Sequence, residues 1–210
     1  MSTFIEQQNW RYATKKFDAS KKISNDDLNT LKEAIRLSSS SYGLQPYKVL
    51  IIENADLREK LKPVAWNQSQ ITDASHIIVF ANEINIGDTQ IDNYLKNVSE
   101  TRGIPLDKLS GFGVFMKSKI TPLASELKNI WTSKQTYLAL ANLMNAAAEL
   151  KIDVTPMEGF DAAAFNEILG LTEKGLNASV IATIGYRHKE DETQHYKKVR
   201  KSNEELFITL

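Results

Sequence analysis

Residues 137–148, YLALANLMNAAA, carry no charged side chain. Apart from two asparagines and one tyrosine they are strong helix formers. A helix that is apolar nearly all round cannot lie on a wetted surface. It must run through the centre of the molecule or along an interface. Pro122 suits the first turn of this helix, which is expected to run to about Leu150. The rest of the chain has to be arranged around it.

Four other segments read as strands. Tyr47–Glu53 (YKVLIIE), His76–Asn82 (HIIVFAN) and Ala178–Tyr186 (ASVIATIGY) are continuous apolar runs of buried-strand length, and 151–157 is a shorter one. Helical spacing separates them. The first ten residues can form a short helix with Phe4, Ile5 and Gln8 on one side. Ser24 with Asp27 marks a helix start that carries Leu28, Leu31, Ile35 and Leu37, and it halts at Ser38–Ser41. Asn54 caps a helix bearing Leu57, Leu61 and Val64, and Asp161 caps one that Gly170 ends. Residues 85–118, with four glycines and a proline, give no clear period. Few strands among more helices imply one sheet in an α+β or α/β class. With 42% hydrophobic residues, no repeat and no linker, residues 1–210 are expected to form one domain. The apolar end Phe207–Leu210 follows a polar arm. It is expected to add a strand to a partner's sheet.

Composition excludes several functions. The 26 basic and 26 acidic residues cancel, so no global field draws the chain to nucleic acid or anionic lipid. There is no cysteine, hence no disulfide and no thiol chemistry, and redox work would need a borrowed cofactor. The N-terminus lacks a signal peptide and no apolar run reaches the ~20 residues of a membrane span, so a cytoplasmic location is expected. The Asn-x-Ser sites at Asn67, Asn97 and Asn177 then read as chance matches. No GxGxxG follows a strand, and neither a P-loop nor GxSxG occurs. His188 and His195 have no metal-binding spacing, and His76 reads as a core histidine.

Three segments could hold an anion or a ring. Arg11–Lys15 places two cations in a short stretch. Ser38–Pro46 (SSSSYGLQP) is a hydroxyl-rich turn between a helix and a strand, where backbone N–H groups can hold a phosphate or a carbonyl. Lys197, Lys198, Arg200 and Lys201 put four cations in five positions. Singly, each also reads as a solvated face, a plain turn or a solubilising tail. Together they offer an anion clamp from both chain ends and a polar ring-binding turn.

In order, RYATKKFD, SSSSYGLQPYKV, WNQSQITDASHIIVF, KQTYLALANLM, PMEGFD and KVRKS resemble the oxygen-insensitive, FMN-dependent NAD(P)H nitroreductases, near the dihydropteridine-reductase-like subfamily. The likeness spans nearly the whole chain and is weakest over 85–120. It implies a nitroreductase-like α+β fold, with a central mixed, mostly antiparallel sheet wrapped by helices. It also implies an intertwined homodimer with an exchanged C-terminal strand and FMN at the subunit interface.

On that resemblance, Arg11 and the backbone of Tyr12 and Ala13 lie along phosphate and ring. Lys15 approaches the N1–C2=O edge, where a cation stabilises the charge the ring acquires on reduction. Ser40, Ser41 and Gly43 come from the partner subunit. Asn67 bonds the pyrimidine edge or ribityl chain, and Gln135 the ribityl side. Pro156, Met157, Glu158 and Gly159 pass beside the ring with a backbone N–H toward N5. Lys198 and Arg200 hold the phosphate with Arg11, and Phe115 is the candidate for the mobile aromatic over the flavin, in the substrate-binding position.

The sequence departs from better-known members at several positions. Tyr12 and Ala13 stand where His and Ser are common, Gly43-Leu44 replaces a polar pair, and Tyr47 replaces Trp. The implied reaction is ping-pong hydride transfer from NAD(P)H to small acceptors such as nitroaromatics, quinones or pteridines. No catalytic side chain is required for the first half, and Glu158 is expected to act through backbone and ring contact. The alternative is a flavin-binding protein of the same fold serving flavin reduction, storage or sensing.

Overall fold

The computed structural model describes residues 3–210. Its sheet has four strands in the order β1-β2-β4-β3, where β1 is Tyr47–Ile52, β2 is His76–Glu83, β3 is Asp153–Met157 and β4 is Leu176–Gly185. Every pairing among the described residues is antiparallel. The two middle strands are the apolar runs: β2 is buried from His76 through Asn82, and β4 along most of its length.

Helices α1 (Thr3–Trp10) and α2 (Asn25–Arg36) precede β1, and α3 (Ala55–Leu61) and α4 (Gln70–Asp73) lie between β1 and β2. Between β2 and β3 come α5 (Asp88–Arg102), α6 (Ser110–Ile120) and α7 (Ser125–Glu149). Helix α8 (Ala162–Leu169) precedes β4, and α9 (Asn203–Leu206) is a single turn in the tail. The caps expected from the sequence are in place. Ser24, Asn54 and Asp161 accept from the N–H groups of Asp27, Leu57 and Ala164, and Gly170 turns left-handed after α8.

Two layers clothe the sheet. On one face α2 and α7 pack Leu28, Leu31, Ile35, Leu140 and Leu143 against Ile78, Phe80, Val180 and Ala182. On the other, α3 and α8 bring Leu61 and Phe165 against Ile77, Val79 and Ile181. The side chains of β2 and β4 alternate between these cores, as the two-residue period of a strand requires. Arg58, 4% exposed, donates to the carbonyls of Ile71, Thr72, Ala74 and Ser75 and so fixes the chain between α4 and β2.

Three segments differ from the sequence reading. Residues 85–118 are mostly helical. Their apolar side chains Ile91, Leu95 and Met116 form a small separate core, too sparse to show a period. Pro122 lies in the turn after α6, and α7 starts three residues later. The strand expected over 151–157 begins at Asp153, because Lys151 is left-handed at φ 58°.

Helix α7 is central over half its circumference only. Ala139, Leu140, Leu143 and Ala147 are buried, while Ile130, Tyr137 and Leu138 are 40–45% exposed. The tail residues Phe207 and Ile208 are 65% and 86% exposed, with no strand partner among the described residues. No helix among the described residues is long and apolar enough to cross a membrane.

Candidate functional site

The N-terminal segment and the C-terminal arm meet beside β3. A cleft of about 430 Å³ opens between them, lined by Arg11, Tyr12, Ala13, Pro156, Lys198 and Arg200, with Trp10, Thr193 and Tyr196 among its further walls. The two basic segments singled out in the sequence thus come together although almost the whole chain separates them. Lys198 donates to the carbonyls of Gln8 (2.7 Å) and Arg11, and Arg11 Nε donates to Gln8 Oε1 at 2.7 Å. No carboxylate lies within ion-pair distance of Arg11, Lys198 or Arg200 among the described residues. Burial and the neighbouring Arg200 lower the Arg11 pKa, and burial with Arg11 and Arg200 lowers that of Lys198. Like charges crowded without a shared anion disfavour the charged forms of Arg11 and Lys198, in addition to their burial.

Asp191, 3% exposed, ties the two chain ends together. Its carboxylate accepts from the Tyr12 hydroxyl (3.0 Å) and from the backbone N–H of Lys15 (2.8 Å) and Lys16 (3.1 Å). It also accepts from the N–H and hydroxyl of Thr193. Burial alone would raise this carboxyl's pKa, but the Thr193 hydroxyl and the two lysine N–H groups overcome it and hold it below its ordinary value. Lys15 is held by its backbone while its side chain is exposed. Thr14, between Ala13 and Lys15, is fully buried with its hydroxyl unpaired among the described residues.

The strand β3 supplies the floor. Pro156 points outward and Met157 inward, its sulfur 3.9 Å from the Thr183 hydroxyl, so Met157 can offer the cleft only its backbone. Glu158 is exposed, and its carboxylate accepts from the Tyr137 hydroxyl at 2.6 Å. Burial first, and then this carboxylate, push the Tyr137 phenol up to about 12. Gly159 lies under the indole of Trp66, where a Cβ would stand 2.7 Å from the ring. Trp66 and Asn67 are both left-handed, at φ 56° and 54°, and both exposed.

A second group of expected residues lies apart from this cleft. Gln135 Oε1 accepts from the Ser41 N–H at 2.8 Å, and the Ser40 hydroxyl accepts from the Gln45 N–H at 2.9 Å. Tyr42 and Gly43 turn left-handed (φ 58° and 78°), and Gly43 needs its bare Cα because Tyr94 Oη would lie 2.8 Å from a Cβ. The Tyr42 ring meets Phe115, Phe112 and Trp131 at 6.3–6.5 Å between centroids. Phe115 is 47% exposed on α6. Within one chain, Ser40, Ser41, Gly43, Asn67 and Phe115 do not line the cationic cleft.

Sequence reasoning missed Asp191, Trp10, Thr193 and Tyr196. The signal available for Asp191 was its Asp-x-Thr turn, while the aromatics flanking Arg11 carried none.

An antiparallel sheet clasped by helices, with a cationic cleft where the chain ends cross, defines an α+β protein. The nitroreductase family profile matches residues 9–186, and the chain belongs to that family. A Staphylococcus haemolyticus protein named as an NAD(P)H nitroreductase is 36% identical, covering 98% of this chain and 96% of its own. The major NAD(P)H-flavin oxidoreductase of Aliivibrio fischeri is also 36% identical, covering 95% of each. A nitroreductase structure from Exiguobacterium sibiricum in complex with FMN superposes with a TM-score of 0.85 at 19% identity, covering 100% of this chain and 98% of that one. At that identity the likeness is one of fold.

Proposed function

We propose that the 210 residues form one FMN-holding domain that oxidises NAD(P)H and reduces small acceptors such as nitroaromatics, quinones or pteridines. The carrying observation is the cluster of Arg11, Lys198 and Arg200 with no carboxylate to neutralise it, in a chain of this family. A phosphate monoester fits there: it supplies the missing negative charge, and cations hold it through charge-assisted hydrogen bonds. Both named relatives carry NAD(P)H in their names, and the Aliivibrio fischeri protein carries flavin as well, which supports the same donor and cofactor here.

FMN, when bound, would supply a ring that accepts hydride and gives it up again. The protein's own part is positioning. Arg11, Lys198 and Arg200 hold the phosphate. The backbone of Tyr12 and Ala13 would run along the ligand, and Pro156, Met157, Glu158 and Gly159 would pass beside the ring with a backbone N–H toward it. Lys15 brings positive charge to the ring edge, tethered through Asp191. Tyr137 keeps the Glu158 carboxylate turned to itself. Donor and acceptor use one exposed face in turn, which is ping-pong order.

Ser40, Ser41 and Gly43 complete the site from a second copy of the chain, while Asn67, beside the Trp66 that covers Gly159, and Gln135 contribute toward the ring and ribityl chain, and Phe115 toward the substrate. Dimerisation covers the exposed apolar side of α7. It also seats Phe207–Leu210 in the groove of about 520 Å³ beside β1, lined by Ile35, Leu44, Val49 and Ile51. Lys32, Arg36 and Lys48 rim that groove, and Glu204 and Glu205 precede the tail's apolar residues.

Denaturing the purified protein should release about one FMN per chain, and NAD(P)H oxidation with an added quinone should give parallel double-reciprocal lines. Release of FAD, or of no flavin, would refute the reading. Lys15→Met should lower the two-electron potential by roughly 20–45 mV, the equivalent of ~1–2 kcal/mol for a partly screened charge, while Lys16→Met leaves it unchanged.

A further inference from the structure

Arg11 stands among like charges, in a segment that adds little to the core. Helix α1 contributes no buried residue, and residues 11–16 are not regular structure. Gln8 accepts from Arg11 Nε at 2.7 Å and Lys198 donates to the Arg11 carbonyl, and further contacts hold the residues on either side of it. Asp191 holds Tyr12 and the N–H groups of residues 15 and 16. On the other side of Arg11, Trp10 is held in a stack of alternating cations and rings. The guanidinium carbon of Arg187 lies 4.3 Å from the Trp10 ring centroid and 4.5 Å from that of Tyr12, and Lys151 Nζ lies 4.8 Å from Trp10.

Arg187 is itself fixed. Its guanidinium donates twice to Asp153 Oδ1, at 2.6 and 2.9 Å, and its backbone N–H donates to Asp153 Oδ2 at 2.8 Å. Asp153 is 3% exposed on β3. The stack therefore runs from a buried carboxylate, through Arg187, to the two residues on either side of Arg11. Arg11 is outside the stack, and Arg187 is not among the groups that shift its pKa. Arg187 holds both neighbours and leaves Arg11 to the cleft.

We infer that Arg187 is a positioning residue for the phosphate-binding cleft: by holding Trp10 and Tyr12 it presents Arg11 to the anion without touching it. This rests on the FMN reading above. A flat guanidinium can stack on both rings and bond a carboxylate in its plane at once, which an ammonium cannot do.

The test compares FMN with riboflavin, which lacks the phosphate, by quenching of flavin fluorescence on the full chain. Arg187→Met should weaken FMN binding about ten-fold and riboflavin binding by less than about three-fold, so the FMN preference falls. Arg187→Lys should fall between wild type and Arg187→Met. Trp10→Leu leaves every charge in place and should lower the preference similarly, with little further loss in the double variant because both act through one stack. Trp10 belongs to a helix without buried residues, so Trp10→Leu carries the test if Arg187→Met does not fold. An unchanged preference in the variants, or equal weakening of both flavins, would overturn the inference while the FMN reading stands. A wild-type protein that binds neither flavin, or both alike, would overturn the two together.

Discussion

The two edges of the sheet are finished differently. At the β3 edge the chain closes itself: Pro156 removes a donor, the Thr155 hydroxyl donates to the Thr14 carbonyl at 2.7 Å, and Phe17 bridges to Arg187. The β1 edge has β2 on one side and an apolar groove on the other, with nothing from the described residues paired along it. A bare edge beside apolar surface is a template for another strand. The finished edge carries the cationic cleft for which we propose a phosphate, and the unfinished one is where we propose the partner's tail. On that proposal half of the site is complete in one chain and half awaits a second.

The largest effect should come from breaking the open edge. Removing Phe207–Leu210 takes away three large apolar side chains, each contributing ~1.5–3 kcal/mol when fully buried, so sedimentation should shift from dimer to monomer and the melt should fall sharply. A truncated chain that stays dimeric and equally stable would break the comparison. At the closed edge, Arg11→Ala, Lys198→Ala or Arg200→Ala should each loosen FMN by roughly 1–3 kcal/mol without changing the sedimentation of the apoprotein. Equilibrium dialysis showing full retention in all three would remove the phosphate assignment.

Thr155→Val should cost about 1–2 kcal/mol in chemical denaturation by leaving the Thr14 carbonyl without its buried donor, again with no change of oligomeric state. The smallest effect is acidic. The Asp191 carboxyl has a folded pKa below its unfolded one near ~3.9, so its contribution is complete above that value and is lost as pH falls through the folded pKa. The acid side of the melting profile should be flatter in Asp191→Asn below about pH 4 than in wild type. Identical acid slopes would leave the clasp without electrostatic content.

The same contrast explains what the sequence made legible. Strands β2 and β4 announce themselves because both faces are buried, and β1, only half-buried at the sheet edge, because Val49–Ile52 is still an unbroken apolar run. The caps at Ser24, Asn54 and Asp161 are local chemistry and were equally readable. Helices α5 and α6 were not, since only Ile91, Leu95, Met116 and a few neighbours pack between them and their glycines mask the period. Of the site, the cations could be seen as clusters, but not the contacts that aim them. Asp191 and Arg187 act on residues more than 170 positions away, and no spacing rule reaches that far.

The indole of Trp66 lying on Gly159 has a consequence for how this protein can diversify. Position 159 cannot accept even a methyl group while the ring keeps its place, and the ring, 74% exposed, is free to swing outward if displaced. The two positions therefore form one mutational unit. A lineage that first exchanges Trp66 for a smaller residue opens position 159 to ordinary side chains. One that changes Gly159 first evicts the indole from beside the candidate site and alters the local surface at once. The order of substitutions, and not only their identity, decides which variants natural selection or a directed-evolution library can pass through.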